Sequence, residues 1–489
     1  MPADSVLQAL RRGADAGASF CVLGGEDQTL AELLEQIEAR ARGLLAAGLQ
    51  PRERVGVALP NGTDTLLWLY AVIAAGGATV FIPPYAKPAE MRAYARAAST
   101  RWVIGSIGEP DAGFLTAEEA RRRFAEDRGA ALPEAQPDWE AGCFTTSGST
   151  GSPKLAAVTH AGFDAQVIAT NGLTGGPGDE TCLFAMPLCH VALLPNVHAF
   201  LVQGGRVVHQ TAFDAPAAMR AAAEQGAVYM SGSPAIYGLI LQRAALPDPA
   251  LRFRRVSYGA GAMPAHWAGQ LGEALRCEVV HCYGLTEGGG VVSAQPPDEH
   301  ASKPGTVGTT LEPFAPFRVR ALGQERDCAV DEVGEVLVGG GSCMAGYVGD
   351  PQETARTMLD GAWVRTGDLG RLDADGDLWI TGRLKDQINR GGLKIGAREV
   401  EVVIEALDGV QGVGVVGVPD SILGERVAAV IESEAALSAA RVREACAQVL
   451  ADHKVPERIQ IVAQMPRTSL GKPDKPAIRR LLAEERSPA

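Results

Sequence analysis

Apolar and polar positions recur along the chain in two periods, and each period places an element. Thr29-x-x-Glu32 sets a hydroxyl N-cap three residues before a carboxylate, the pattern of a capping box. Leu30, Leu33, Leu34, Ile37, Ala41, Leu44 and Leu45 then follow the spacing of one helix face, which Gly48 closes. Arg54–Leu59 reads as a strand, Asn61-Gly62 as a turn, Asp64–Ala75 as a helix and Ala78–Ile82 as another strand. That sequence of elements is a βαβ unit and predicts an α/β layered architecture. The uncharged run Leu66–Ile82 is broken by Gly76-Gly77 and falls short of the ~20 apolar residues of a membrane helix, so it reads as core.

The texture changes near residue 385. Beyond Gly396 the segments are short: Val400, Val403, Ile404 and Leu407 line a helix, and Val410–Val418 and Arg426–Glu432 read as strands. Val442, Ala445, Cys446, Val449 and Leu450 share one face of a second helix, and Arg458–Ala463 is a further strand. The prediction is a large, multi-layered α/β domain over residues 1–384 and a small α+β domain over 385–489. A chain of 489 residues has room for both at ~150 residues per domain.

Composition narrows the partners. Hydrophobic residues make up 46% and charged residues 21%, as in a folded water-soluble protein. A net charge of −13 with only 5% aromatic residues argues against nucleic acid and confines phosphate binding to a dedicated pocket. The nine cysteines form no Cys-x-x-Cys pair, so neither a zinc site nor a disulfide framework is indicated, and a cytoplasmic home is expected. Met1–Phe20 carries Asp4, Arg11, Arg12 and Asp15 without the apolar stretch of a signal peptide, and no membrane insertion is expected.

Five segments carry candidate chemistry. Thr145–Lys154 (TTSGSTGSPK) combines two glycines, several hydroxyls and one ammonium, which suits a phosphate cradle; a flexible Ser/Gly hairpin loop is the alternative. No glycine directly precedes Lys154, and Leu155–Val158 reads as strand, so this is not the common P-loop. In Tyr283-Gly284-Leu285-Thr286-Glu287, trailed by Gly288-Gly289-Gly290, the ring suits a planar ligand and Glu287 suits a divalent cation; alone it is more often an ordinary strand and loop. Asp368 in Trp363–Gly370 sits on an expected turn, where a carboxylate suits a ribose diol or caps its own backbone. Gly382–Asp386 with Gly391-Gly392 has the charge and glycine of a hinge or a plain linker. Lys472 in Pro466–Lys472 stands on a loop before the last helix, where a lone lysine is most simply a solvated charge.

Taken together and in this order, TSGSTGSPK, MPLCH, SYGAGAM, YGLTE, WVRTGDLG, GRLKDQINRGG and PRTSLGK resemble the adenylate-forming superfamily of acyl- and aryl-CoA synthetases over essentially the whole chain. The resemblance implies a two-domain adenylate-forming fold and activation of a carboxylic acid by ATP with magnesium. It implies an ATP phosphate loop over Thr146, Ser147, Gly148, Ser149, Thr150, Gly151 and Lys154, and an adenine wall of Gly259, Ala260, Gly261, Tyr283 and Gly284. Thr286 would meet the α-phosphate, Glu287 with Thr146 the magnesium ion, and Asp368 with Arg383 the ribose. Lys385 would be the hinge, Gly391 and Gly392 would face the incoming thiol, and Lys472 would be the catalytic lysine.

The substrate pocket implied by the resemblance includes His190 and Gly288. Amino-acid-activating relatives carry Phe-Asp where this chain has Cys189-His190, so an aryl or medium-chain acid without an α-amino group is expected. A lone histidine among apolar residues is usually structural. Few residues follow Lys472, so the acceptor is expected on a separate molecule: the thiol of coenzyme A, a free-standing carrier protein or, as the resemblance also allows, another nucleophile. The rival from another class is a catalytically silent nucleotide-binding protein. Leu155 stands where the superfamily often has glycine, and Ala397 where it often has proline; neither position bears a charge.

Overall fold

The computed structural model describes residues 5–23, 25–105, 111, 113–125, 129–146, 154–174, 180–191, 193–261, 263, 265–300, 302–311, 316–361, 363–433, 437–468 and 471–484, with side chains except at 171–174, 265, 266, 394 and 484. Ser147, Gly148, Ser149, Thr150 and Gly151 of the expected phosphate loop lie outside the described residues.

The predicted βαβ unit is present. Arg54–Val57 and Ala78–Phe81 pair in parallel, Arg54 opposite Ala78, and the helix Thr63–Ala74 crosses between them. Every residue of that helix from Thr65 to Ala74 is buried, which is why its sequence is apolar all round rather than amphipathic. The helix Leu30–Ala46 packs beside it behind the predicted capping box; Leu30, Leu33, Leu34, Ile37, Ala41 and Leu44 are buried, and Leu45 is half-buried at the rim.

Among the described residues the large domain holds three sheets. In the nine-stranded sheet, Ser19–Val22, Thr181–Phe184, Arg206–His209, Tyr229–Gly232, Arg255–Tyr258 and Glu278–Leu285 run parallel, and Gly290–Gln295 turns back antiparallel. The seven-stranded sheet contains the βαβ unit and ends in the hairpin of Glu140–Thr146 with Lys154–Thr159. The third sheet includes Trp363–Leu372 paired with Leu378–Arg383. Asp368 therefore belongs to a strand, and the expected turn is replaced by a left-handed Gly367 (φ 68°) followed by a register shift between Leu369 and Gly370.

The small domain has its own sheet, built from Gln387–Arg390, Leu393–Gly396, Gly412–Asp420, Gly424–Glu432 and Arg458–Val462. On one side Val400 and Ile404, with Val442 and Cys446, cover Val413, Val415, Val427, Ala429 and Ile431; on the other, Ile478 and Leu482 cover Val416, Ala428 and Val430. One expected core position is corrected. Val449 is 71% exposed, because its helix ends there and only the Val442/Cys446 stripe meets the sheet. The expected hinge segment is also more ordered than a linker: after the short turn Leu384–Asp386 the chain enters the hairpin whose tip is Gly391-Gly392. Both tip glycines have left-handed φ, 61° and 91°. No helix among the described residues is long and apolar enough to cross a membrane.

Candidate active site

The site forms where the ends of several strands meet. Glu278–Leu285 ends in the turn Thr286–Gly288, and that turn lies close to both Glu140–Thr146 and Trp363–Leu372. Thr146 pairs with Lys154, so both stand at the mouth of the hairpin that carries the phosphate-loop sequence.

Asp368 is the most enclosed charge in this region, 2% exposed. The Tyr283 hydroxyl donates to its Oδ2 at 2.7 Å, and Arg383 Nε lies 2.7 Å from its Oδ1. Its own backbone N–H donates to Thr366 Oγ1 at 3.0 Å. A carboxylate offers about four lone-pair sites, so each oxygen keeps capacity for a further donor such as a ribose hydroxyl. Tyr283 thus has its ring beside the site and its hydroxyl committed to Asp368, and burial with this carboxylate pushes the phenol well above its ordinary pKa. Gly259, Ala260 and Gly261 follow the adjacent strand Arg255–Tyr258, and a Cβ at Gly259 would fall 3.0 Å from the Cys282 carbonyl oxygen.

Glu287 and Lys154 are joined by residues that sequence reasoning missed. The Tyr347 hydroxyl donates to Glu287 Oε1 at 2.7 Å, while Lys154 Nζ lies over the Tyr347 ring, 5.4 Å from its centre. Lys154 also pairs with Glu353 at 2.6 Å. Tyr347 and Glu353 lie about 200 residues after Lys154 in a stretch with no periodic or spaced pattern, so only the strand pairing of Gly346-Tyr347 with Ala156-Ala157 reveals them. Thr146 and Glu287 offer a hydroxyl and a carboxylate, hard oxygen donors of the kind magnesium takes.

His190 ends the MPLCH turn, where its N–H donates to the Pro187 carbonyl at 3.0 Å. Asn61, expected only to shape a turn, fixes this loop from both sides: it donates to the Met186 carbonyl at 3.2 Å and accepts from Leu188 N–H at 3.0 Å. Burial, assisted by the positive charge of Lys472, lowers His190 to about 4, so the imidazole is neutral near pH 7.

Lys472 stands on a tight turn of the small domain. Its N–H donates to Thr468 Oγ1 at 3.2 Å, its carbonyl accepts from Thr468 N–H at 2.8 Å, and Arg467 donates to the Gly471 carbonyl at 2.8 Å. The turn docks on the large domain: a Cβ at Gly471 would lie 2.9 Å from that of Ala235. Lys472 is exposed, and its ammonium is near enough to His190, Arg383, Lys385 and Asp368 for their charges to act on one another. The surrounding protein mass, then the charges of Arg383 and Lys385, lower it to about 8, against the pull of Asp368. The loss of hydration and the cationic neighbours act in the same direction. Among the described residues, one acidic triad has metal-ligand spacing, Asp373, Asp375 and Asp377, and Lys303 already ion-pairs with all three.

A large α/β domain followed by a small α+β domain is the fold class of the adenylate-forming enzymes. The chain belongs to the AMP-binding enzyme family: the family profile "AMP-binding enzyme" matches residues 8–348, and "AMP-binding enzyme C-terminal domain" matches residues 399–472. It is 31% identical to a sulfoacetate–CoA ligase of Cupriavidus necator, over 92% of this chain and 91% of that one. A feruloyl-CoA synthase of an Amycolatopsis species is 32% identical, covering 94% of each chain. The fold matches ATP-bound MatB from Rhodopseudomonas palustris with a TM-score of 0.90, at 24% identity and over the full length of both. The expected class and fold hold, and the protein is an AMP-forming acid–thiol ligase.

Proposed function

We propose that the protein activates an aryl or medium-chain carboxylic acid without an α-amino group as its acyl-adenylate and passes the acyl group to coenzyme A. The convergence of Lys472 with Arg383, Asp368 and His190 across the domain boundary carries this reading. A carboxylate and ATP repel each other, and in-line attack at the α-phosphorus adds charge that a preorganised ammonium stabilises. Lys472 supplies that charge, Asp368 with Arg383 holds the ribose, Tyr283 and Gly259–Gly261 enclose the adenine, and Thr286 meets the α-phosphate. Thr146 and Glu287, the latter oriented by Tyr347, would hold a magnesium ion, which offsets phosphate charge when bound.

The acid lies against neutral His190 and Gly288, a surface with no countercharge for an ammonium from the Cys189-His190 position. Coenzyme A is favoured as acceptor by the names of both relatives reported above. In this scheme residues 1–384 bind ATP and acid, Lys385 is the pivot, and residues 385–489 present first Lys472 and then the Gly391-Gly392 tip. Pyrophosphate release from ATP over a panel of carboxylic acids, with and without coenzyme A and with products read by mass spectrometry, tests the whole scheme. Acyl-CoA formed without an added protein supports it; adenylate that never becomes acyl-CoA favours a carrier protein, and no turnover with any acid favours a silent nucleotide binder.

A further inference from the structure

Lys154 is already engaged by an anion of the protein itself. Its ammonium lies 2.6 Å from Glu353 Oε1, with the two side chains only 16% and 23% exposed, so the pair is screened less than a fully solvated one. Glu353 stands on the helix Pro351–Thr357, whose N-cap Asp350 accepts from the Glu353 N–H at 2.9 Å. The same helix anchors Tyr347: Thr354 Oγ1 accepts from the Tyr347 N–H at 2.8 Å and donates to the Asp350 carbonyl at 2.8 Å. One ring thereby serves both charges of the expected phosphate site, with the Lys154 ammonium over its face and Glu287 at its hydroxyl. The other cation near Glu353 is Arg356, 3.5 Å away and 76% exposed, so Lys154 is the principal partner. Its hydrogen bond holds the Glu353 carboxyl below the usual carboxylate range, and the pair is ionic near pH 7.

An ammonium that has a carboxylate partner attracts a further anion less, because the carboxylate repels the newcomer and competes for the same N–H donors. In the proposed scheme Thr286 meets the α-phosphate, which leaves Lys154, opposite Thr146 at the hairpin mouth, for the β- and γ-phosphates. We propose that Glu353 is a positioning residue that tempers the hold of Lys154 on polyphosphate, so that ATP and the pyrophosphate leaving group are bound less tightly than the bare ammonium would bind them. The inference rests on the phosphate-loop reading of Lys154 and adds to it the residue that sets its strength.

The test measures binding, so no acid is needed. Full-length wild type, Glu353→Gln and Lys154→Met are titrated calorimetrically with ATP and with pyrophosphate, each with magnesium, and with AMP. Glutamine keeps an oxygen for Lys154 and removes only the charge, so Glu353→Gln should tighten ATP and pyrophosphate at least ~5-fold. AMP has neither β- nor γ-phosphate and should stay within ~2-fold of wild type. A merely structural role for the pair would weaken ATP instead. Unchanged or weaker ATP and pyrophosphate in Glu353→Gln, or an equal tightening of AMP, overturns the inference. Lys154→Met should weaken ATP and pyrophosphate, and that result leaves the phosphate-loop reading standing even where the inference falls; unchanged affinities in Lys154→Met overturn both. Should Glu353→Gln fail to fold, Glu353→Ala decides by the same comparison.

Discussion

In the proposed reaction Lys472 works as a charge, so its protonation should set the alkaline side of the reaction. With its pKa lowered to about 8, the ammonium form is lost as pH rises through that value, and kcat/KM for adenylation should fall above pH 8. Bound ATP and acid bring negative charge and should move the same limb to higher pH in kcat. Lys472→Ala should lower adenylation by ~10² or more and remove the limb, while transfer from supplied acyl-adenylate survives. Rapid-quench measurement of the two half-reactions over pH 6–10 checks this; equal loss of both would detach Lys472 from the first step. His190, at about 4, should contribute no limb near neutrality. At this scale the motifs pointed to Asp368, Arg383 and Tyr283, which the structure brings into contact, because ATP chemistry as proposed restricts residue types and order. They did not expose Tyr347, Glu353 or Asn61, whose roles arise from contacts between segments 60 to about 200 residues apart.

At the scale of elements, the turn Leu384–Asp386 connects two strands that belong to different domains, Leu378–Arg383 and Gln387–Arg390. Arg383 is held to Asp368 on the large side, and Asp386 is paired with Lys475 on the small side at 3.2 Å. In the proposed scheme, rotation is thereby confined to few backbone dihedrals. Lys385→Pro fixes φ near −65° and should impede the second orientation, so the variant should accumulate acyl-adenylate and lose acyl-CoA output. Equal accumulation of thioester in variant and wild type, measured in single turnover, would remove position 385 from the pivot. Element types were legible wherever one period ran long, as in Leu30–Ala46 and Thr63–Ala74. They were less so where one turn of chain decides the outcome: Val449 fits the face by spacing, but it is the last residue of its helix and lies exposed, and Asp368 has turn-forming neighbours inside a strand.

For the whole molecule, burial holds five of the described histidines neutral: His160, His190, His209 and His281 are lowered to about 4, and His198 to about 3. Between those values and the ordinary 6.5 the unfolded chain binds protons that the native one refuses, so stability falls as pH falls through 6.5. Each such histidine adds a slope of up to ~1.4 kcal/mol per pH unit. The urea midpoint should therefore drop steeply between pH 6.5 and 5 while changing little from 7 to 8. A flat midpoint over the acid interval would show that these rings do not stay neutral in the native protein. The four histidines of this set outside the expected site were invisible as a group, because their burial depends on which sheet face covers them.

The Lys472 turn has one more consequence, which concerns friction. Thr468, Arg467 and Gly471 hydrogen-bond within the turn, and Arg467 is tied to Glu432 on the sheet at 2.7 Å, so the loop is stiff against its own domain. In the proposed scheme the backbone of Lys472 therefore moves with the whole small domain, roughly a hundred residues dragged through water. A step limited by such a displacement slows in proportion to solvent viscosity, whereas bond-making at phosphorus does not. Sucrose at constant water activity should thus retard thioester formation and spare the pyrophosphate burst, and replacing Glu432 with Gln, which loosens the tether, should weaken that dependence.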